Sequence, residues 1–195
     1  MKMYHKSVLK KEAISALSIK PEGLYVDATF GGGGHSQQIL NNLGLRGKLF
    51  AFDQDIDSNV NKINDSRFTL INNSFSNIKK YLKYYSIEKI NGVLADFGVS
   101  SHQLDSKLRG FSIKNNSRLD MRMNQNQSLD AYFIVNNYSE KELTSIFMNY
   151  GELKKANIFS NTIVSKRKEN LIKTTFQLKS AISKLYNDKN KNKIL

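Results

Sequence analysis

Residues 26–36 read VDATFGGGGHS. An apolar run from Leu24 to Ala28 meets four consecutive glycines, and helical spacing begins at His35. A strand that passes through a glycine loop into a helix is suited to binding a phosphate or a nucleoside. Glycine lets the backbone turn tightly and lets a ligand approach without a side chain in the way. The helix N-terminus then offers free N–H groups and a partial positive charge. Three loop types compete. A Walker loop needs Gly-Lys-Ser/Thr, and no lysine stands here. A dinucleotide loop needs G-x-G-x-x-G; Gly31 and Gly33 fit, but Ser36 holds the third place. An S-adenosylmethionine loop takes an acid followed by alternating glycines. Asp27 lies four residues before Gly31 and six before Gly33, with Thr29 where that pattern often has its first glycine. An ordinary glycine-rich turn would also account for the loop alone, and a second acid decides against it. Asp53 ends the next apolar run, at about the 20-residue distance where such folds place a ribose-binding carboxylate.

Outward from this loop the chain alternates. Residues 8–17 predict an amphipathic helix, broken by Pro21, Glu22 and Gly23. Residues 35–43 predict a helix with Ile39, Leu40 and Leu43 on one face, closed by Gly44 and Gly47. Residues 48–53 (KLFAFD) predict the second strand, 55–63 a helix, 68–71 the third strand and 75–85 another helix. Val93 to Ala95 predict a fourth strand ending at Asp96. Strand, helix and strand in turn argue a parallel sheet covered on both faces. The continuous apolar character of the strands agrees with this.

The pattern changes after about residue 105. Residues 105–127 are polar and irregular, and from 128 the spacing is helical throughout. Ser139 to Glu142 forms a capping box, with Gly151 closing the helix it opens. A longer helix is expected over 152–169, its end marked by Lys166, Arg167 and Lys168. Thr174 and Gln177 are placed to cap a last helix over 175–186. The segment 188–195 reads as a disordered tail.

The 195 residues carry a net charge of +13 and no cysteine. Disulfides, a thiolate nucleophile and a cysteine-based zinc site are thereby excluded. His5, His35 and His102 are too scattered to argue a metal site. The N-terminal residues lack the apolar core of a signal peptide, and no apolar run reaches the length of a membrane span. A cytoplasmic protein without a membrane partner is expected. The charge points to a polyanionic partner, most simply nucleic acid, although a lysine-rich composition alone would also produce it.

The fourth strand ends in ADFGVSSHQLD, residues 95–105. Asp96 lies at a carboxyl strand end, beside the first strand if the winding is standard, and ligands bind in the crevice outside such ends. Turn chemistry explains Ser100 and Ser101 equally well, and a surface position explains His102.

At this point the chain resembles the bacterial small-subunit rRNA cytosine-N4 methyltransferase family (RsmH, MraW). The stretches that carry the resemblance are YHKSVL at 4–9, VDATFGGGGHS at 26–36, AFDQD at 51–55, DFGVSSHQLD at 96–105, RGFS at 109–112, LDMRMNQ at 119–125 and YGE at 150–152. They keep the family's order and spacing to about residue 180, and together they are highly specific. The resemblance implies an α/β, Rossmann-like methyltransferase sheet over 1–108 and an inserted helical domain over 109–187 that faces RNA. It implies S-adenosylmethionine as cofactor, held by Gly33, Gly34, His35 and Asp53, with Phe75, Asp96 and Gln103 added. Phe75 would lie against the adenine, core packing being its alternative. The implied substrate is a decoding-centre cytidine of 16S rRNA, cytidine 1402 in the usual count, methylated on its exocyclic nitrogen within the small ribosomal subunit. By the family's plan the chain continues past the insertion into further strands. This chain is expected to lack them, as a fragment or as a shortened product.

The cytosine amino group is a poor nucleophile because its lone pair is delocalised into the ring. An enzyme must supply in-line placement and an acceptor for the amino hydrogen. DNA amino-methyltransferases use Asn/Asp/Ser-Pro-Pro-aromatic at this strand end; here Asp96, Phe97, Gly98 and Val99 stand without prolines. Asp96, or Ser100 and Ser101, would be the acceptor. Arg109, Arg118 and Arg122 would grip phosphate, or else brace their own loop. Two rivals remain: an NAD-dependent dehydrogenase, and a non-catalytic rRNA-binding remnant of the same family. The oligomeric state is open, a homodimer included.

Overall fold

The computed structural model describes residues 9–186. The expected disordered tail at 188–195, the first residue of the helix expected over 8–17, and His5 lie outside them. The chain divides into two compact units. The first runs to Ser101 and takes in Met123–Gln125; the second comprises His102–Arg122 and the chain from Asn126 on.

The first unit is built on four parallel strands. They are β1 (Leu24–Asp27), β2 (Lys48–Phe52), β3 (Phe68–Ile71) and β4 (Gly92–Leu94), in the order β3-β2-β1-β4. Val26 is level with Phe50 on one side and Val93 on the other. Side chains alternate between the two faces with period two. Tyr25, Leu49, Ala51, Phe68 and Leu94 face one way and bury Ile39, Leu40 and Leu43. Those three belong to α2 (Gly34–Asn42) and its C-cap, and Ala13, Ile14 and Leu17 of α1 (Lys10–Leu17) pack beside them. Val26, Phe50, Phe52 and Ile71 face the other way, against Ile78, Tyr81 and Leu82 of α3 (Ile78–Tyr84). Both faces are covered over the centre of the sheet, which is why the strands read as unbroken apolar runs. Val93, on β4, remains 48% exposed.

Three local expectations change. Residues Ile56–Asn61 form a 3₁₀ helix rather than an α-helix. Its apolar residues, Ile56 and Val60, are both exposed, so no buried face offsets the poor helix propensity of Asp, Ser and Asn. The helix expected from residue 75 opens with a 3₁₀ turn, Phe75–Asn77, before α3. The segment after β4, for whose serines turn chemistry was the alternative, contains a short helix, α4 (Ser101–Asp105).

The second unit holds α5 (Ala131–Asn137), α6 (Glu140–Asn149), α7 (Ala156–Glu169) and α8 (Thr175–Ala181). They surround Leu119, Val135, Leu143, Phe159, Ile163, Ile172 and Ile182. The capping boxes at Ser139/Glu142 and Thr174/Gln177 are both formed. α8 is shorter than expected, and a 3₁₀ turn, Ser183–Leu185, follows it. α7 begins at Ala156 rather than 152, because Leu153 turns back to donate to the Phe147 carbonyl. The left-handed residue of that turn is Glu152, not Gly151. Gly151 serves close packing instead: a Cβ there would stand 2.9 Å from the Phe147 carbonyl oxygen.

Gly47 closes the α2–β2 turn by close approach. A Cβ at this position would lie 2.5 Å from the Pro21 carbonyl oxygen and 2.8 Å from a Leu43 methyl. Gly47→Ala should therefore destabilise the first unit by about 1–3 kcal/mol, as overpacking does. Chemical denaturation checks this, and an unchanged midpoint would contradict it.

Candidate functional site

The carboxyl ends of β1 and β4 form the switch point of the sheet, where successive connections leave in opposite directions. The backbone past β1 stays tied to its neighbours. Ala28 N–H donates to the Leu94 carbonyl at 2.8 Å, and Phe30 N–H to the Phe52 carbonyl at 2.9 Å. The glycine loop therefore hangs from β4 on one side and β2 on the other. Gly31 and Gly33 take positive φ, 50° and 75°, which glycine adopts without strain. Gly33 is the N-cap of α2, and Gly34 its first residue. A Cβ added at Gly31 would meet no atom within 4 Å, so open space lies against the loop.

Asp27 is fully buried at the end of β1. One of its oxygens accepts from Thr29 N–H at 3.1 Å and the other from the Ser36 hydroxyl at 2.7 Å. Ser36 thus fills the third place of the loop pattern with a side chain that reaches back to the acid. Burial pushes the Asp27 carboxyl above its usual 3.8; the Ser36 and Thr29 hydrogen bonds and the nearby His35 oppose this, while Asp53 adds to it. Thr29 makes a second link, its hydroxyl accepting from Asp96 N–H at 2.7 Å. Asp53 accepts from Gly31 N–H at 2.7 Å through one oxygen and from Asp55 N–H at 2.9 Å through the other. Asn61 completes the loop's support, donating to the Gly31 carbonyl at 3.1 Å.

Of the residues expected at the site, the first unit brings together Gly33, Gly34, His35, Asp53 and Asp96. His35 is nearly buried, and its Nδ1 lies 3.9 Å from an Asp96 carboxylate oxygen, an ion pair when the imidazole is protonated. The Asp96 side chain is half exposed, so the carboxylate also faces solvent. Phe75, in the turn after β3, is not core: it is 42% exposed and its ring meets that of Phe97. Asn73 braces this turn, accepting from Ser74 N–H at 2.9 Å and the Asn77 amide at 2.6 Å. Ser100 is half-buried, and Ser101 opens α4. Gln125, from the segment that returns to the first unit, donates to Asp55 at 3.3 Å.

Gln103 and the three arginines belong to the second unit. Gln103 is buried on α4. Arg109 is buried too; it donates to the Arg122 carbonyl at 2.7 Å and lies over the Phe111 ring. Arg122 pairs with Asp120 at 2.6 Å and donates to the Gln127 carbonyl at 2.6 Å. The Arg122 guanidinium holds the Asp120 carboxyl below its usual range. Arg118 pairs with Asp130 and stacks on Tyr132, yet keeps 55% of its side chain exposed.

Sequence reasoning passed over Ser36, Asn61, Gln125 and Phe97. Ser36 had a signal, since it occupies a glycine position of the competing loop pattern. Asn61 had none, because it reaches the loop from a distant segment, and Gln125 stood only as the last residue of the LDMRMNQ stretch.

The family model described as the MraW methylase family matches residues 2–195. A protein of Christiangramia forsetii named Ribosomal RNA small subunit methyltransferase H is 52% identical over 98% of this chain and 64% of its own length. A protein of the same name from Flavobacterium johnsoniae is also 52% identical, over the same shares. A third, from Bacteroides thetaiotaomicron, is 43% identical over 98% of this chain and 63% of its own. The chain thus spans about 64% of the length of the curated relatives it matches.

The raised Asp27 carboxyl has a consequence for stability. The folded state holds this proton more tightly than the unfolded chain does. Its stabilising contribution is complete below the usual 3.8 and is lost as pH rises through the elevated value. Asp27→Asn removes that loss, so its melting temperature should vary less between about pH 4 and pH 8 than that of the parent chain. Parallel melting profiles would contradict the burial argument.

Proposed function

Because the chain belongs to the MraW methylase family, we propose that it takes part in methylating the exocyclic N4 of a decoding-centre cytidine in small-subunit rRNA, with S-adenosylmethionine as donor. The observation that carries this reading is the bond from Gly31 N–H to Asp53, which sets an acid at the end of β2 against an open glycine loop. A carboxylate has about four lone-pair sites, which lets one acid both brace a loop and accept from a ribose. Gly33, Gly34 and His35 would hold the donor at the α2 N-terminus, with Phe75 against the adenine. When bound, S-adenosylmethionine supplies a methyl group already activated by its sulfonium.

The protein's own residues answer the remaining needs. The target amino group requires an acceptor that draws off its hydrogen as the lone pair localises. Asp96 suits this role: it is charged, half exposed, held by its backbone to Thr29, and near His35. Ser100 and Ser101 follow within the same segment and would orient the base. The base itself has to leave its stack to reach the crevice. Asp96→Asn should cut turnover on the order of a hundredfold or more while cofactor affinity stays within a few-fold. Normal turnover with normal affinity would exclude Asp96 as the acceptor.

The net charge of +13 suits a phosphate-rich partner. Among the three motif arginines, Arg118 has the exposed side chain to contact phosphate. Arg118→Gln should lower the slope of log affinity against log salt by about one for small-subunit rRNA; an unchanged slope would assign Arg118 to its loop alone.

One second reading, an rRNA-binding remnant without transfer activity, would account for the net charge of +13 as well. Incubating this chain with S-adenosylmethionine and small subunits lacking the modification separates the two. N4-methylcytidine at one decoding-centre position, read by mass spectrometry, is the expected result. Subunit binding without any mark would favour the remnant.

A further inference from the structure

Phe97 is the most exposed phenylalanine among the described residues, at 71%. It follows β4, while Phe75 follows β3. These are the two outer strands of the sheet, three strand spacings or about 14 Å apart. Yet the two ring centroids stand 5.3 Å from one another, with the rings inclined at 56°. Both loops must therefore lean inward across the carboxyl ends of β2 and β1. The rings meet on the side of the sheet where Asp53, Asp27 and the glycine loop lie.

We infer that Phe97 is the second wall of the adenine site, receiving the purine between its ring and that of Phe75. The inference rests on the reading of the crevice as an S-adenosylmethionine site. The two rings stand 5.3 Å apart, and both residues remain exposed to solvent. A planar base enters when the rings swing parallel to about 7 Å, two van der Waals spacings. Each ring turns on only two side-chain torsions, so the opening needs little chain movement. The bound base then covers aromatic surface that is otherwise wet, and stacking of this kind tolerates any planar base.

The target cytosine is the competing occupant, since Asp96 precedes Phe97. The contacts argue against it. Asp96 turns its carboxylate toward His35 of α2, whereas Phe97 turns its ring toward Phe75 beyond β3. The acceptor and the ring have different neighbours, and the ring's neighbour is the residue expected at the adenine.

The sequence contains nine tyrosines but no tryptophan, so Phe97→Trp makes a single tryptophan, which can be excited selectively at the red edge of the absorption. Calorimetric titration would compare S-adenosylmethionine and adenosine on the parent chain, Phe97→Ala and Phe97→Trp. Phe97→Ala should weaken both ligands by a similar factor, on the order of tenfold. Phe97→Trp should restore affinity, and adenosine should quench its emission. Phe75→Ala combined with Phe97→Ala should cost less than the two single losses multiplied, because either ring alone forfeits the sandwich. Equal affinities for the parent chain and Phe97→Ala would overturn the proposal. Unchanged S-adenosylmethionine affinity with a raised KM for small subunits would also overturn it and assign the ring to the target base. Should the folded parent chain bind neither ligand, the cofactor reading would fall and this inference with it. Melting curves identify a variant that fails to fold, and Phe97→Leu, which keeps the apolar bulk without the ring, then replaces Phe97→Ala with the same expected loss.

Discussion

A carboxyl group with no solvent exposure sits at the end of the first strand, and the local structure is arranged around it. Burying Asp27 is costly unless its oxygens are hydrogen-bonded. One oxygen takes the Thr29 N–H, so the chain must turn immediately after the strand. The other takes the Ser36 hydroxyl, so the first turn of α2 must come back over the strand end. Only a loop that folds back through left-handed positions satisfies both, and Gly31 and Gly33 provide those positions. The loop then passes the constraint on. Thr29 fixes the backbone at Asp96, and Gly31 fixes Asp53. Three acids from three strands are thus held about one stretch of open backbone.

The arginines show a second regularity. All six arginines are engaged within their own unit. Arg46 pairs with Glu22, and Arg118 with Asp130. The other four donate to backbone carbonyls: Arg67 to Leu43, Arg109 to Arg122, Arg122 to Gln127, and Arg167 to Val135 and Tyr138. Arg67 and Arg167 thereby satisfy carbonyls at the ends of α2 and α5, a use that suits a planar donor fork. The excess positive charge therefore rests mainly with lysine, whose compact charge suits loose, salt-dependent contact with phosphate more than shaped recognition.

How much of this could be read from the chain follows from the same physics. The central strands β1 and β2 were legible because each is buried on both faces and so reads as a nearly unbroken apolar run. The capping boxes were legible because their partners lie three residues apart. Asp53 could be placed because a strand end fixes where its side chain emerges. The Ile56–Asn61 turn was not legible, since apolar spacing there carries no burial. Gly151 was misread for a different reason: a glycine needed for close packing looks the same in sequence as one needed for a left-handed turn. Phe97 was missed because its partner comes from the far side of the sheet, and no local pattern records that meeting.

The central claim is that the loop and the acid at the end of β2 together form a nucleoside site. Titrating S-adenosylmethionine into this chain by calorimetry, beside Asp53→Ala, tests it most directly. The account predicts saturable one-to-one binding by the parent chain, and a loss on the order of tenfold or more in the variant, as expected when a charged hydrogen-bond partner of the ligand is removed. Binding that is equally tight without the Asp53 carboxylate, or no binding by a folded parent chain, would contradict it.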